Sequence, residues 1–173
     1  MTMNSPCEKT PGRLCPVCMV AVAILFLPAL DAHAAEPKKV IYETDMCLDV
    51  DDVGGLAMLH AMADRGEAEI LAVTFNEVHK SGAAAIDAIN TWYKRGTIPV
   101  GIYKKPLHKP DGSKYLDSVA EFPHDLTRKT APSALEVYKR VLAKQPDHSV
   151  TIISVGFLNN LHDLLKAEPK LVA

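Results

Sequence analysis

The segment Glu43-Thr44-Asp45-Met46-Cys47-Leu48-Asp49-Val50-Asp51-Asp52 concentrates the acidic chemistry of this chain, with Asp45, Asp49, Asp51 and Asp52 falling within eight residues. Carboxylates this close repel one another, so something must offset their charge. A hard divalent cation does so, and oxygen-only ligands suit calcium or magnesium. A helix N-terminus also helps, because its dipole and free N–H groups favour Asp51 and Asp52. Acidic capping of a solvated loop is the competing reading. An EF-hand does not fit, because the loop follows a strand pattern and lacks that motif's glycine and terminal glutamate. Cys47 has no His–Asp pattern nearby that would make it a nucleophile.

The elements around this loop set its geometry. Val40-Ile41-Tyr42 reads as a strand, and Val53, Leu56, Ala57, Leu59 and Ala63 recur near helical spacing up to Gly66. Residues 70–75 form a second strand pattern, 83–93 a helix, 98–101 a short strand, 133–144 a helix, 149–154 a strand and 158–166 a helix. Residues 103–132 carry no sustained periodicity and read as a long surface excursion, of the kind that is often functional. Strands alternate with helices, and the strands are apolar runs rather than alternating patterns. That combination predicts an α/β fold: an open, mainly parallel sheet with helices on both faces. In such a sheet ligands bind at the carboxyl ends of the strands, where the acidic loop lies.

Two separate motifs carry a family resemblance. Val40-Ile41-Tyr42-Glu43-Thr44-Asp45, Asp49-Val50-Asp51-Asp52, Leu56 and Leu71-Ala72-Val73-Thr74 resemble the N-terminal signature of the inosine–uridine-preferring nucleoside hydrolases. Ser149-Val150-Thr151-Ile152-Ile153-Ser154-Val155-Gly156-Phe157-Leu158-Asn159-Asn160-Leu161 looks like that family's later strand–turn–helix motif. The resemblance spans residues 39–173 and implies a Rossmann-like nucleoside hydrolase fold, truncated to its N-terminal half. It implies a calcium-dependent N-glycosidase acting on a nucleoside or related ribosyl small molecule. By position, Asp45 matches the aspartate that binds calcium and takes the proton from water. Asp52 matches a bidentate calcium ligand, and Val155 matches a residue whose carbonyl binds calcium. Asp51 matches a contact to ribose hydroxyls. Asn76 or His79 stands near the place of a hydroxyl-binding asparagine. His124, in Phe122-Pro123-His124-Asp125, stands in a loop comparable to the one that meets the leaving group; a solvated loop histidine is the alternative.

The chain also departs from the family. Asp49 has no counterpart role, and shares the metal site or is a solvated carboxylate. Cys47 replaces the usual glycine, and Gly54-Gly55 replace better helix formers in the first helical turn. The family's late metal-binding aspartate, its neighbouring histidine and a sugar-contacting asparagine have no counterpart here. A homo-oligomer would be one way to complete the site. An exported calcium- or sugar-binding module, or an inactive remnant, is the alternative function. His60 is expected on a helix surface, His79 on a loop surface, and Trp92 and Tyr93 in the core.

The N-terminus carries its own signal. Lys9 and Arg13 precede an apolar run from Leu14 to Leu30, and Ala32-His33-Ala34 supplies a cut before Ala35. This is the pattern of a cleaved signal peptide, with a membrane anchor as the alternative. Residues 35–173 are then the exported domain, secreted or periplasmic, with no membrane association after cleavage. Cys7, Cys15 and Cys18 lie in the leader, so Cys47 alone remains and no intrachain disulfide forms. The net charge is −2 with no basic stripe, which argues against a nucleic-acid partner.

Overall fold

The computed structural model describes residues 36–47, 50–107, 112 and 114–172. The expected signal peptide and Asp49 lie outside the described residues. Four strands, β1 (Lys38–Thr44), β2 (Ala68–Phe75), β3 (Val100–Ile102) and β4 (Val150–Ser154), form one sheet in the order β3-β2-β1-β4. All three pairings are parallel. The helices are α1 (Asp51–Asp64), α2 (Gly82–Trp92), α3 (Tyr115–Val119), α4 (Ala134–Leu142) and α5 (Asn159–Ala167), followed by a short turn of 3-10 helix, Pro169–Leu171. Among the described residues no helix is long and apolar enough to cross a membrane.

Side-chain alternation along β1 explains the layering. Val40 and Tyr42 face a core shared with Leu56 and Leu59 of α1 and with Ala83, Ala85 and Ile86 of α2. Ile41 faces the opposite core, with Val137, Tyr138 and Val141 of α4 and Leu164 of α5. The sheet is therefore covered on both faces, as its apolar strand runs predict. Thr44 pairs with Phe75, Phe75 with Ile102, and Glu43 with Ser154, so all four strands end at one rim. β1, β2 and β3 run outward in one direction, and the chain then returns to place β4 on the other side of β1. The order thus reverses between β1 and β4, which is where an open α/β sheet opens a crevice.

Several expectations are corrected. β3 is shifted to Val100–Ile102, and the long excursion contains α3, whose Leu116 is fully buried. His60 is not on the surface. It is fully buried between α1 and α2, with Nε2 3.0 Å from Asn90 Oδ1 and its ring stacked 4.3 Å from Tyr93. An imidazole can present a flat apolar face while one nitrogen finds a partner, so hydrophobic spacing does not reveal its place. His79 is buried as well, and its Nδ1 accepts from the Ser81 N–H at 3.2 Å. Trp92 is 78% exposed rather than core, because it closes the last turn of α2 on the flank away from the sheet. Cys47 fits without disruption, buried in the α1–α2 core. Ser133 caps α4 in a reciprocal box with Glu136, a Ser-x-x-Glu pattern.

The two glycines of α1 differ in kind. A Cβ on Gly55 would lie 2.6 Å from the Tyr42 hydroxyl, which donates to the Asp52 carbonyl at 3.0 Å. A Cβ on Gly54 would meet nothing within 4 Å. Gly54→Ala is therefore expected to stabilise the fold by up to about 1 kcal/mol through helix propensity. Gly55→Ala should destabilise it, and adding Tyr42→Phe should recover part of that loss. Chemical denaturation of the variants decides this, and equal effects at the two glycines would contradict the packing argument.

Candidate active site at the β1–β4 crevice

The site begins with the backbone. Asn76 N–H donates to the Thr44 carbonyl at 2.9 Å, and Val155 N–H donates to the Glu43 carbonyl at 2.9 Å. These two bonds extend the ladders one residue past the strands, so the segments after β1, β2 and β4 leave together. Gly156 then passes against the acidic loop. A Cβ there would lie 2.6 Å from Asp45 N, 2.7 Å from Asn76 Oδ1 and 2.8 Å from the Asp45 carboxyl carbon. The Asp45 carboxyl and the Asn76 amide oxygen are thus both within 2.8 Å of one point, and only a residue without a side chain fits the turn between them.

Asn76 is held from three sides. Its Nδ2 donates to the Phe157 carbonyl at 2.6 Å and to Glu43 Oε1 at 3.2 Å, and its own carbonyl accepts from Asn159 Nδ2 at 2.8 Å. Both partners of Nδ2 are acceptors, so the amide cannot turn over without setting oxygen against oxygen. This orientation leaves Asn76 Oδ1 fully buried and without a partner. A buried acceptor in that state calls for a donor or a cation.

Beneath it lies Glu43, also fully buried. Tyr138 donates to Glu43 Oε2 at 2.5 Å, and the Tyr138 hydroxyl is 3.0 Å from Thr74 Oγ1. Burial raises the Glu43 carboxyl above its usual 4.5, while bonds from Tyr138, Asn76 and Asn160 pull it back in part. Burial, followed by the charge of Glu43, likewise pushes the Tyr138 hydroxyl above its ordinary range. Spacing did not flag Glu43 as functional; it reads as one more residue of the strand motif.

The start of α1 holds the remaining carboxylates. Asp52 is buried, and its Oδ2 accepts from Thr44 Oγ1 at 2.5 Å and from Met46 N–H at 2.9 Å. One oxygen of the expected bidentate ligand is therefore engaged in closing the loop onto the helix. Asp51 is exposed in the first turn. Asp52, Asp51 and Asp45 all act on Tyr42: after burial, their charges in that order raise its hydroxyl. Asp45 and Asn76 stand together at the Gly156 turn, while Asp52 meets Tyr42 through its backbone carbonyl. Val155 is 44% exposed at the rim. Among the described residues, no three His, Cys, Asp or Glu side chains form a compact ligand group.

His124 is placed by a different device. Its Nδ1 pairs with the Phe122 carbonyl at 2.8 Å, and its loop is tied down by Asp87, a fully buried carboxylate of α2 that accepts from Asp125 N–H at 2.6 Å and Leu126 N–H at 3.0 Å. Phe122 and Pro123 of this loop line an apolar cavity of about 470 Å³ with Val53, Ala57, Ile89 and Trp92.

No protein-family model matches the chain, and no curated protein matches its sequence. The fold and the crevice define the class: an open α/β protein with a polar site at its topological switch point.

Glu43 gives the site a pH signature. Its raised value means that the folded state holds the proton more tightly than the unfolded chain. That contribution to stability is complete below 4.5 and is lost as pH rises through the raised value. Glu43→Gln cannot ionise, so the stability of the variant relative to the parent should improve as pH climbs from 4.5 towards neutrality. Thermal unfolding across that window measures it, and a constant difference would rule out Glu43 as the titrating group.

Proposed function

We propose that the chain is a calcium-dependent N-ribosyl hydrolase of the nucleoside hydrolase type, using the crevice at the carboxyl ends of β1, β2 and β4. The observation that carries this reading is the buried, unpartnered Asn76 Oδ1 beside the Asp45 carboxyl. A ribose hydroxyl is a donor of the size and polarity that such an acceptor lacks. Asp51, exposed at the start of α1, is the second hydroxyl contact.

The donor set on which this reading draws, carboxylate, amide and carbonyl oxygens, is of the kind that suits a hard cation. Asp45, Asp52 and the Val155 carbonyl would hold calcium. Bound there, calcium would lower the pKa of a water and orient it. Asp45 would take a proton from the attacking water as the water oxygen bonds to the anomeric carbon. The N-glycosidic bond breaks, and its electron pair leaves on the base nitrogen. The nearby carboxylates favour the positive charge that develops on the sugar ring as this bond stretches. In this reading His124 is the group that would protonate the departing base.

Incubation of the purified chain with inosine or uridine and calcium is expected to release ribose, and a chelator should stop it. Asp45→Asn should lower the rate by about 10²–10⁴-fold, the usual worth of a general base. Asp52→Asn should weaken calcium binding. A folded chain that releases no ribose with calcium present, or a rate indifferent to Asp45→Asn, would overturn the assignment.

A further inference from the structure

Between the N-terminus of α4 and α5 lies a second cleft, of about 500 Å³, that the hydrolase reading leaves unused. Tyr103, Lys104 and Lys105 wall it from the end of β3, and His162, Asp163 and Lys166 wall it from α5. Among the described residues, three lysines and a histidine thus line the cleft with one aspartate, in a chain whose net charge is −2. We propose that this cleft is a binding site for a phosphoryl group, carried by a free anion or by a phosphorylated sugar.

The contacts show how the cations are held ready. Lys104 Nζ donates to the Ala131 carbonyl at 2.6 Å and to the Arg128 carbonyl at 3.1 Å. An ammonium has three donors, so the third remains for a ligand. Two carbonyl bonds fix its position without cancelling its charge. Lys105 Nζ lies 2.7 Å from both oxygens of Asp163, and His162 Nδ1 lies 3.5 Å from one of them. Asp163 brings these two groups near one another, with the Lys105 side chain 61% and the His162 side chain 71% exposed. Lys166 has no ion pair among the described residues. The carboxylate of Glu136, at the start of α4, is turned to the Ser133 N–H and hydroxyl at 2.8 and 2.7 Å, so it is committed to the helix cap. Its charge still acts on Lys104, so Glu136 and Asp163 offset part of the charge of the three lysines and a smaller net positive charge remains at the cleft. Lysines gathered in one concave space attract a compact multivalent anion better than the same lysines spread over a flat surface.

The cleft volume is in the range of small-ligand pockets and exceeds what a phosphate alone fills. Asn160 lines it and donates to the Phe75 carbonyl at 3.2 Å, while the adjacent Asn159 donates to the Asn76 carbonyl. The two sites thus share a wall, and a phosphorylated sugar is the natural ligand of larger size. The inference depends on neither calcium nor catalysis.

Isothermal titration of the purified chain with inorganic phosphate, in a chelator, tests it. Saturable binding is expected. The double variant Lys105→Gln/Lys166→Gln should weaken it at least about tenfold, since each charge-assisted bond is worth more than a neutral one. Lys144→Gln, a distant exposed lysine, should leave it unchanged. Thermal melts confirm that the variants remain folded. Ribose 5-phosphate binding tighter than phosphate would assign the site to a phosphorylated sugar, and equal affinities would assign it to the free anion. Absence of saturable phosphate binding, equal weakening by Lys144→Gln, or equal binding of unphosphorylated ribose would overturn the proposal.

Discussion

A carboxyl group in the middle of a sheet is costly unless its surroundings supply donors, and Glu43 sets that condition for the whole upper rim of this protein. Its side chain is fully buried at the end of β1, one of the two inner strands of the sheet. The donors come from three elements: Tyr138 on α4, Asn76 after β2 and Asn160 on α5. Each must stand where the carboxyl needs it. The helices of one face and the turn after β2 are therefore fixed by the same group. Asn76, held this way, points its remaining oxygen at the Gly156 turn beside Asp45. The orientation of the site follows from the satisfaction of a buried acid beneath it.

A second constraint ties the acidic loop to α1. Tyr42 reaches past Gly55 to the Asp52 carbonyl, and Asp52 returns its carboxylate to Thr44 and Met46. The loop is closed by bonds from β1 below and from the helix start above. These bonds hold the carboxylates near one another in spite of their repulsion. A helix N-terminus lowers that cost further, because its dipole favours negative charge in the first turn. The N-cap of α1 is Val50, with no side-chain cap bond, so one Asp52 oxygen serves the loop rather than the helix start, and Asp45 sits at the crevice.

The strand order joins these parts. Because the chain returns across the sheet to set β4 beside β1, the turn at Gly156 meets the loop at Asp45. Had β4 been added beyond β3, the same residues would lie at opposite ends of the sheet. Asp87 extends the arrangement on the outer flank, where two backbone N–H groups satisfy its buried charge and fix the loop that bears His124. α2 thereby positions a residue more than thirty places along the chain.

The sequence by itself determined the alternation of strands and helices, the two-sided covering of the sheet and the placement of the acidic loop between a strand and a helix. These are local properties: apolar runs, helical spacing and the position of Asp45 relative to Val40-Ile41-Tyr42 survive in any register. Tertiary structure alone decided which polar groups are buried and what they face. Glu43, Asp87 and His60 read as ordinary polar residues in the chain, yet each is interior because a donor, acceptor or ring from a distant segment satisfies it, while His79 is buried with a partner only two residues away, Ser81. Trp92 went the other way, onto the surface, because hydrophobic spacing marks a helix face but not how far the neighbouring layer extends. The pairing of Asp45 with Asn76, and the gathering of Lys104 and Lys105 with His162 and Lys166, depend on where the chain crosses the sheet. That crossing is settled by packing between distant segments, which no local pattern records.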